Sequence, residues 1–149
     1  MTIKAMLEKV RTVNLRAEVP QIILVTSSEI LELNKQQLFQ EGVKSDGIRL
    51  LEYAGFRYSE YKYSLNPGPG FGNPDLYLEG DFYRGFQVAN ITPRSFDIGS
   101  TDSKADSLEE KYGENLFGFT RKSRTEYALG VFYNRVKAYI TGKTGLRFK

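Results

Sequence analysis

A chain of 149 residues with 40% hydrophobic content suits one domain that buries roughly two-thirds of its unfolded surface, so we expect a single domain over 1–149. It contains neither cysteine nor histidine, which excludes disulfide staples, Ser-His-Asp triads, Cys-His dyads and the common zinc sites, and leaves carboxylate, lysine, tyrosine or magnesium chemistry. The net charge of +3 is too small to announce a nucleic-acid binder, and the longest apolar run, Ile22 to Val25, falls far short of the ~20 residues of a membrane span.

The first residues, Met1 to Lys9, alternate charges with apolar positions, so no secretory signal is expected. Ile3, Met6, Leu7, Val10 and Val13 recur at three- and four-residue intervals and predict a short helix that Asn14 ends. From about Ala17 to Glu41, one stripe carries Val19, Ile23, Ile30 and Leu33 and a neighbouring one Leu24, Leu31 and Leu38, which predicts a long helix with contacts on more than one side. Pro20 fits its first turn and Gly42 its left-handed end. An alternative reading makes Gln21–Thr26 a β-rich run, with Thr26-Ser27-Ser28-Glu29 as the capping box of a later helix.

Ile48 to Tyr53 is a short apolar segment, and the tyrosine-rich Phe56 to Tyr63 reads as a strand or irregular edge. The run Asn66-Pro67-Gly68-Pro69-Gly70-Phe71-Gly72-Asn73-Pro74 is a stiff loop over 66–74; it lacks the Gly-Lys-Ser/Thr and following helix of a phosphate-binding loop. Phe82, Phe86 and Val88 alternate with polar positions up to Ile91, Phe96 and Ile98 do so after Thr92-Pro93, and the two stretches read as a hairpin. Ser103-Lys104-Ala105-Asp106 signals the start of a helix that places Ala105, Leu108 and Tyr112 on one face and closes at Gly113. A final helix from about Lys122 to Thr141 presents Leu129, Phe132, Tyr133, Val136, Tyr139 and Ile140. A flexible basic tail is expected over 142–149. The expected class is α+β: N-terminal helices, a small mostly antiparallel sheet, C-terminal helices.

Charge is distributed unevenly. Eight basic residues between Arg121 and Lys149 stand against Glu126, whereas six acids between Asp97 and Glu114 stand against Lys104 and Lys111. Such asymmetry fits a partner of opposite sign, head-to-tail contact between copies, or two solvated helix faces. Asp97, Asp102 and Asp106 form the best carboxylate group for a magnesium ion, yet a helix cap and first turn explain Asp102 and Asp106 without a metal. Arg121, Lys122 and Arg124, with Lys143, Arg147 and Lys149 of the C-terminal segment, could meet phosphates, with no recognition motif beside them. Ten tyrosines and ten phenylalanines exceed what a small core absorbs, which makes Tyr53, Tyr58, Tyr61, Tyr63 and Phe71 candidates for subunit contact, together with Arg121, Lys122, Arg124, Asp102 and Asp106.

The segment Asp75-Leu76-Tyr77-Leu78-Glu79-Gly80-Asp81-Phe82-Tyr83-Arg84-Gly85-Phe86 resembles a pattern of phage virion morphogenesis and tail-completion proteins, with Glu79 where threonine is usual. The resemblance continues through Ser100 to Lys104, Leu108 to Gly113 and Leu116 to Phe119, where it is similar to proteins of crAss-like Bacteroidetes phages, and it spans Asp75 to Tyr127. It implies a structural neck or tail subunit in a homo-oligomeric ring below the portal, located in the virion and made in the cytoplasm of the infected bacterium. Its partners would be portal or other neck and tail proteins, with passive contact to DNA, no catalysis, no cofactor, no small-molecule substrate and no membrane insertion. Two other readings stay open: a small nucleic-acid-binding protein using the basic C-terminal segment, and a magnesium enzyme centred on Asp97, Asp102 and Asp106.

Overall fold

A computed structural model describes residues 2–148; Met1 and the basic Lys149 lie outside the described residues. The chain is about 56% helical with a two-stranded antiparallel sheet between helices at both ends, an α+β layout. No helix among the described residues is long and apolar enough to cross a membrane.

Helix α1 spans Ile3–Arg11 and is capped by Thr2, whose hydroxyl accepts from the Ala5 N–H at 3.2 Å. It stops before the expected end at Asn14, which instead caps α2 (Leu15–Val25) by accepting from Ala17 N–H at 3.2 Å. That earlier start puts Pro20 inside α2 rather than in its first turn.

The single long helix is also corrected: it divides at Thr26 into α2 and α3 (Ser27–Phe39). The capping box does not form, since Thr26 makes no side-chain cap bond. Instead the Thr26 hydroxyl donates back to the Ile22 carbonyl at 2.7 Å and that of Ser27 to Leu24 at 2.8 Å. Two consecutive back-bonding hydroxyls bend a helix without abolishing it. Gly42, at φ +62°, then turns the chain as expected.

The apolar segment after it is irregular, with one bridge between Val43 and Arg49 and Leu50 buried. Phe56 to Tyr63 is no strand but most of α4 (Phe56–Leu65). Its buried side consists of Ser59 and Lys62, so hydrophobic residues show no helical period there.

The expected hairpin is shorter at its start. Asp81–Arg84 forms a helical turn, α5, and only Phe86–Ala89 (β1) pairs with Asp97–Ser100 (β2), in the register Phe86↔Ser100 to Ala89↔Asp97. Phe82 of the helical turn and Phe86 of β1 therefore meet in the core from two different elements, with ring centroids 5.1 Å apart, rather than along one alternating strand. Gly80 at φ +87° starts the turn, while Gly85 lets β2 come close: a Cβ there would lie 2.5 Å from Ser100 Oγ and 2.8 Å from Asp102 N.

Helix α6 (Ala105–Tyr112) ends at Gly113 as expected, but Ser103 is not its cap; Asp102 accepts from the Lys104 N–H at 2.7 Å just ahead of it. A 3-10 turn, Glu114–Leu116, leads to α7 (Arg121–Tyr127), a π-helical segment (Ala128–Phe132) and α8 (Tyr133–Thr144). The expected tail is thus helical through Thr144, which is fully buried, and Gly145 ends the helix in a left-handed conformation.

Two apolar clusters flank α3. Leu31, Leu38 and Phe39 join Leu50, Phe82, Tyr83, Phe86, Tyr112 and Leu116 on one side. Ile30 and Leu33 join Val19, Ile23, Phe119, Tyr127 and Phe132 on the other, and Ile98 touches both. Between them the polar residues of α3 hold the entry to α7: Asn34 and Gln37 donate to the Gly118 carbonyl at 2.8 and 3.1 Å, and Gln37 Oε1 accepts from Thr120 N–H at 2.9 Å.

Candidate functional site

Helix α4 is anchored by a polar underside. Lys62 Nζ lies 2.7 Å from Asp75 Oδ1, with the two side chains only 7% and 4% exposed. Asp75 Oδ1 also accepts from Tyr77 N–H at 3.0 Å, and Oδ2 accepts from Asn66 Nδ2 at 3.3 Å. Lys62 further donates to the Tyr77 carbonyl, and the Tyr83 hydroxyl to that of Asp75.

The loop reaches this geometry through Leu76, whose φ of +54° folds Tyr77 back over the carboxylate. A leucine there is sterically disfavoured by about 1–2 kcal/mol, which the surrounding bonds offset. Burial first, and the Asp75 charge second, push the Tyr53 and Tyr83 phenols far above tyrosine's usual range. With both carboxylate oxygens and the ammonium engaged by the chain itself, the arrangement acts as an anchor that fixes α4 to the 66–80 segment.

What the anchor holds in place is aromatic. Phe56 and Tyr63, one above the other on α4, both touch Phe71 of the Pro-Gly loop, with ring centroids 5.4 and 5.9 Å apart. On the opposite flank Tyr58 meets Tyr53 at 4.9 Å and Tyr61 at 6.3 Å. Phe56 is 72% exposed and Tyr61 56%, and Tyr58, Tyr63 and Phe71 are exposed to nearly half their surface. The structure therefore gathers Tyr53, Tyr58, Tyr61, Tyr63 and Phe71 around one helix, with Tyr53 half-buried and the others outside. Sequence reasoning missed Phe56, Lys62 and Asp75; a lysine and an aspartate flanking a stiff loop gave no signal of pairing.

The charged candidates are not brought together in the same way. Lys122 is paired within the chain, its ammonium 2.7 Å from Glu41, and this contact raises its pKa. Arg121 and Arg124 are exposed on α7. Asp102 is half-buried and occupied by the Lys104 N–H, while Asp106 is exposed in the first turn of α6. Asp97 pairs with Asn90 at 2.7 Å, and among the described residues no three carboxylates converge where a metal ion could sit.

Arg124 lines a different feature, a groove of about 520 Å³ between α2, the β1–β2 turn and α7. Val19, Ile23, Phe96, Phe119 and Phe132 form its floor, and Arg94 stands with Arg124 at its rim. The groove continues past Arg94 to Arg16 and Leu15. Compared with protein-family models, curated proteins and solved structures, the chain finds no match.

Proposed function

We propose that the chain is a structural subunit of a tailed-phage particle, a neck or tail ring component that joins portal or head to tail by homo-oligomeric assembly and performs no catalysis. The observation that carries this reading is the apolar surface around α4. Between Ile48 and Leu78, ten large hydrophobic side chains stay exposed (Ile48, Leu51, Phe56, Tyr58, Tyr61, Tyr63, Leu65, Phe71, Tyr77 and Leu78). Phe56, Phe71 and Tyr63 form a contiguous group on one flank of the helix and Tyr58 joins Tyr53 and Tyr61 on the other, and exposed aromatic groups of this kind are interface material.

Such a surface favours a partner that covers it, and its rigid anchoring lowers the entropy lost on association. Tyrosine and phenylalanine are the residues expected at an interface core. The resemblance of Asp75 to Tyr127 to virion morphogenesis and tail-completion proteins gives the partner its class, namely further copies of the chain and neighbouring neck or tail proteins. The virion, after synthesis in the infected bacterium, is then the place of action.

Mass spectrometry of purified particles, with imaging of the neck, tests the reading. The expected result is a closed ring of this chain at the head-to-tail joint. Particles that lack the chain would overturn it and bring nucleic-acid binding by the basic C-terminal segment to the front.

A further inference from the structure

The groove between α2, the β1–β2 turn and α7 has a chemistry of its own. Its floor is apolar and aromatic, and Arg16, Arg94 and Arg124 stand along its edge. None of the three makes a salt bridge among the described residues, and no carboxylate lines the groove. The π-helical segment supplies Ala128 and Phe132 to this floor, and π segments in helices are frequent where a helix serves a site. A groove so built selects an occupant that is apolar at its centre and acidic at its edges.

The chain carries such an occupant elsewhere on its surface. Phe56, Tyr63 and Phe71 form a contiguous trio. Glu60 follows Phe56 by four residues and projects on the same side of α4, about 40° round the helix, whereas Arg57 lies about 100° away. Glu52 reaches the other edge, its carboxylate 4.0 Å from where a Cβ on Gly72 would stand. Neither glutamate is in a salt bridge among the described residues, and Arg49 donates to the Pro69 carbonyl at 3.1 Å.

We infer that the arginine-edged groove receives the Phe56–Tyr63–Phe71 face of a second copy of this chain, with Glu52 and Glu60 meeting Arg94 and Arg124. This rests on the reading of the chain as a self-assembling subunit and names the contact by which it assembles. At about 520 Å³ the groove lies within the ~300–1,000 Å³ range of concave binding sites. The contact is head-to-tail, because groove and face are different surfaces of one chain, and repetition of such a contact closes into a ring when the rotation allows. Nucleic acid fits the groove less well: Phe96, Phe119 and Phe132 are half-buried in the second apolar cluster and do not offer open faces for bases to stack on.

The absence of cysteine makes the test direct. An Arg94→Cys chain and a Glu60→Cys chain are mixed under mild oxidation. A mixed disulfide dimer should dominate both homodimers; equal or greater homodimer yields overturn the inference. By sedimentation, Arg94→Glu with Arg124→Glu should weaken self-association roughly tenfold or more, and adding Glu52→Lys/Glu60→Lys chains should recover it. Unchanged association would overturn it too. A third arm offers a fluorescent single-stranded oligonucleotide to the unaltered chain: binding that the paired arginine substitutions abolish assigns the groove to nucleic acid instead. Mixed dimers from a chain missing in particles would leave the contact standing and sink the phage reading, while a ring at the neck with homodimers only would do the reverse.

Discussion

The hydroxyls of Thr26 and Tyr127 lie 2.8 Å apart across 101 positions of sequence, both fully or almost fully buried. This contact ties the bend between α2 and α3 to the end of α7, so it links the N-terminal helices to the groove-bearing part of the last helix. The two ends are not equivalent. Thr26 also donates to Ile22, whereas the Tyr127 hydroxyl has no other partner among the described residues. Tyr127→Phe should therefore cost about 1 kcal/mol in urea unfolding, the net worth of one hydrogen bond, and Thr26→Val about 1–3 kcal/mol because it strands a buried phenol. The reverse order would mean that the bend does not depend on this contact.

Alkaline pH should find the same tyrosine. Burial pushes the Tyr53, Tyr83 and Tyr127 phenols up, and Glu41 does so for the Lys122 ammonium. A group whose folded pKa is raised adds stability that is complete below its unfolded pKa and is lost as pH climbs toward the folded value. With unfolded values of about 10 for tyrosine and about 10.4 for lysine, stability should hold to roughly pH 10 and fall beyond it. In a titration followed by phenolate absorbance, Tyr53, Tyr83 and Tyr127 should ionise only as the fold opens. Ionisation of these three near the ordinary value, with the fold intact, would contradict the burial argument.

How much of this was legible in the sequence depended on what each helix buries. Ala105, Leu108 and Tyr112 shared a predicted face and all reach the first cluster; Val19, Ile23, Ile30 and Leu33 shared another and all reach the second. The two stripes of the predicted long helix foretold the two clusters on either side of α3, although Leu24 stays 58% exposed. Helix α4 was illegible because its core-facing residues are a serine and an ion-paired lysine, while its aromatics point outward; hydrophobic periodicity reports burial, and here burial is polar. Composition alone singled out Tyr58, Tyr61 and Tyr63, and the structure leaves all three exposed around α4. The groove was not singled out, since its floor comes from four separate segments and its arginines are scattered from Arg16 to Arg124.

Gly85 illustrates a constraint that spacing does not reveal. Its backbone needs no left-handed conformation, yet any Cβ would press on the Asp102 and Thr101 backbone nitrogens at 2.8 and 3.1 Å. Those atoms belong to the exit of β2 and cannot rotate aside as a side chain could. Gly85→Ala should destabilise the chain by roughly 1–3 kcal/mol, the usual scale for overpacking, and should shift the amide signals of Ser100 to Asp102 in a nuclear magnetic resonance spectrum. A neutral substitution with unmoved signals would show that β2 gives way at little cost.

Anchor and face around α4 should separate cleanly by mutation. Asp75→Ala leaves the Lys62 ammonium buried without its counter-charge and removes the acceptor of Tyr77 N–H and Asn66, a loss expected at about 3–5 kcal/mol. Lys62→Met keeps the stem's volume but abandons the carboxylate, so it belongs to the same range. Phe71→Ser instead removes a half-exposed ring that touches only Phe56 and Tyr63 among the aromatic pairs, and should move the unfolding midpoint little while lowering self-association. The decisive pairing is therefore urea unfolding beside sedimentation on the same samples. If Phe71→Ser unfolds as easily as Asp75→Ala, the ring is part of the core rather than of a surface meant to be covered; if it unfolds normally and still associates normally, covering that surface contributes nothing to assembly.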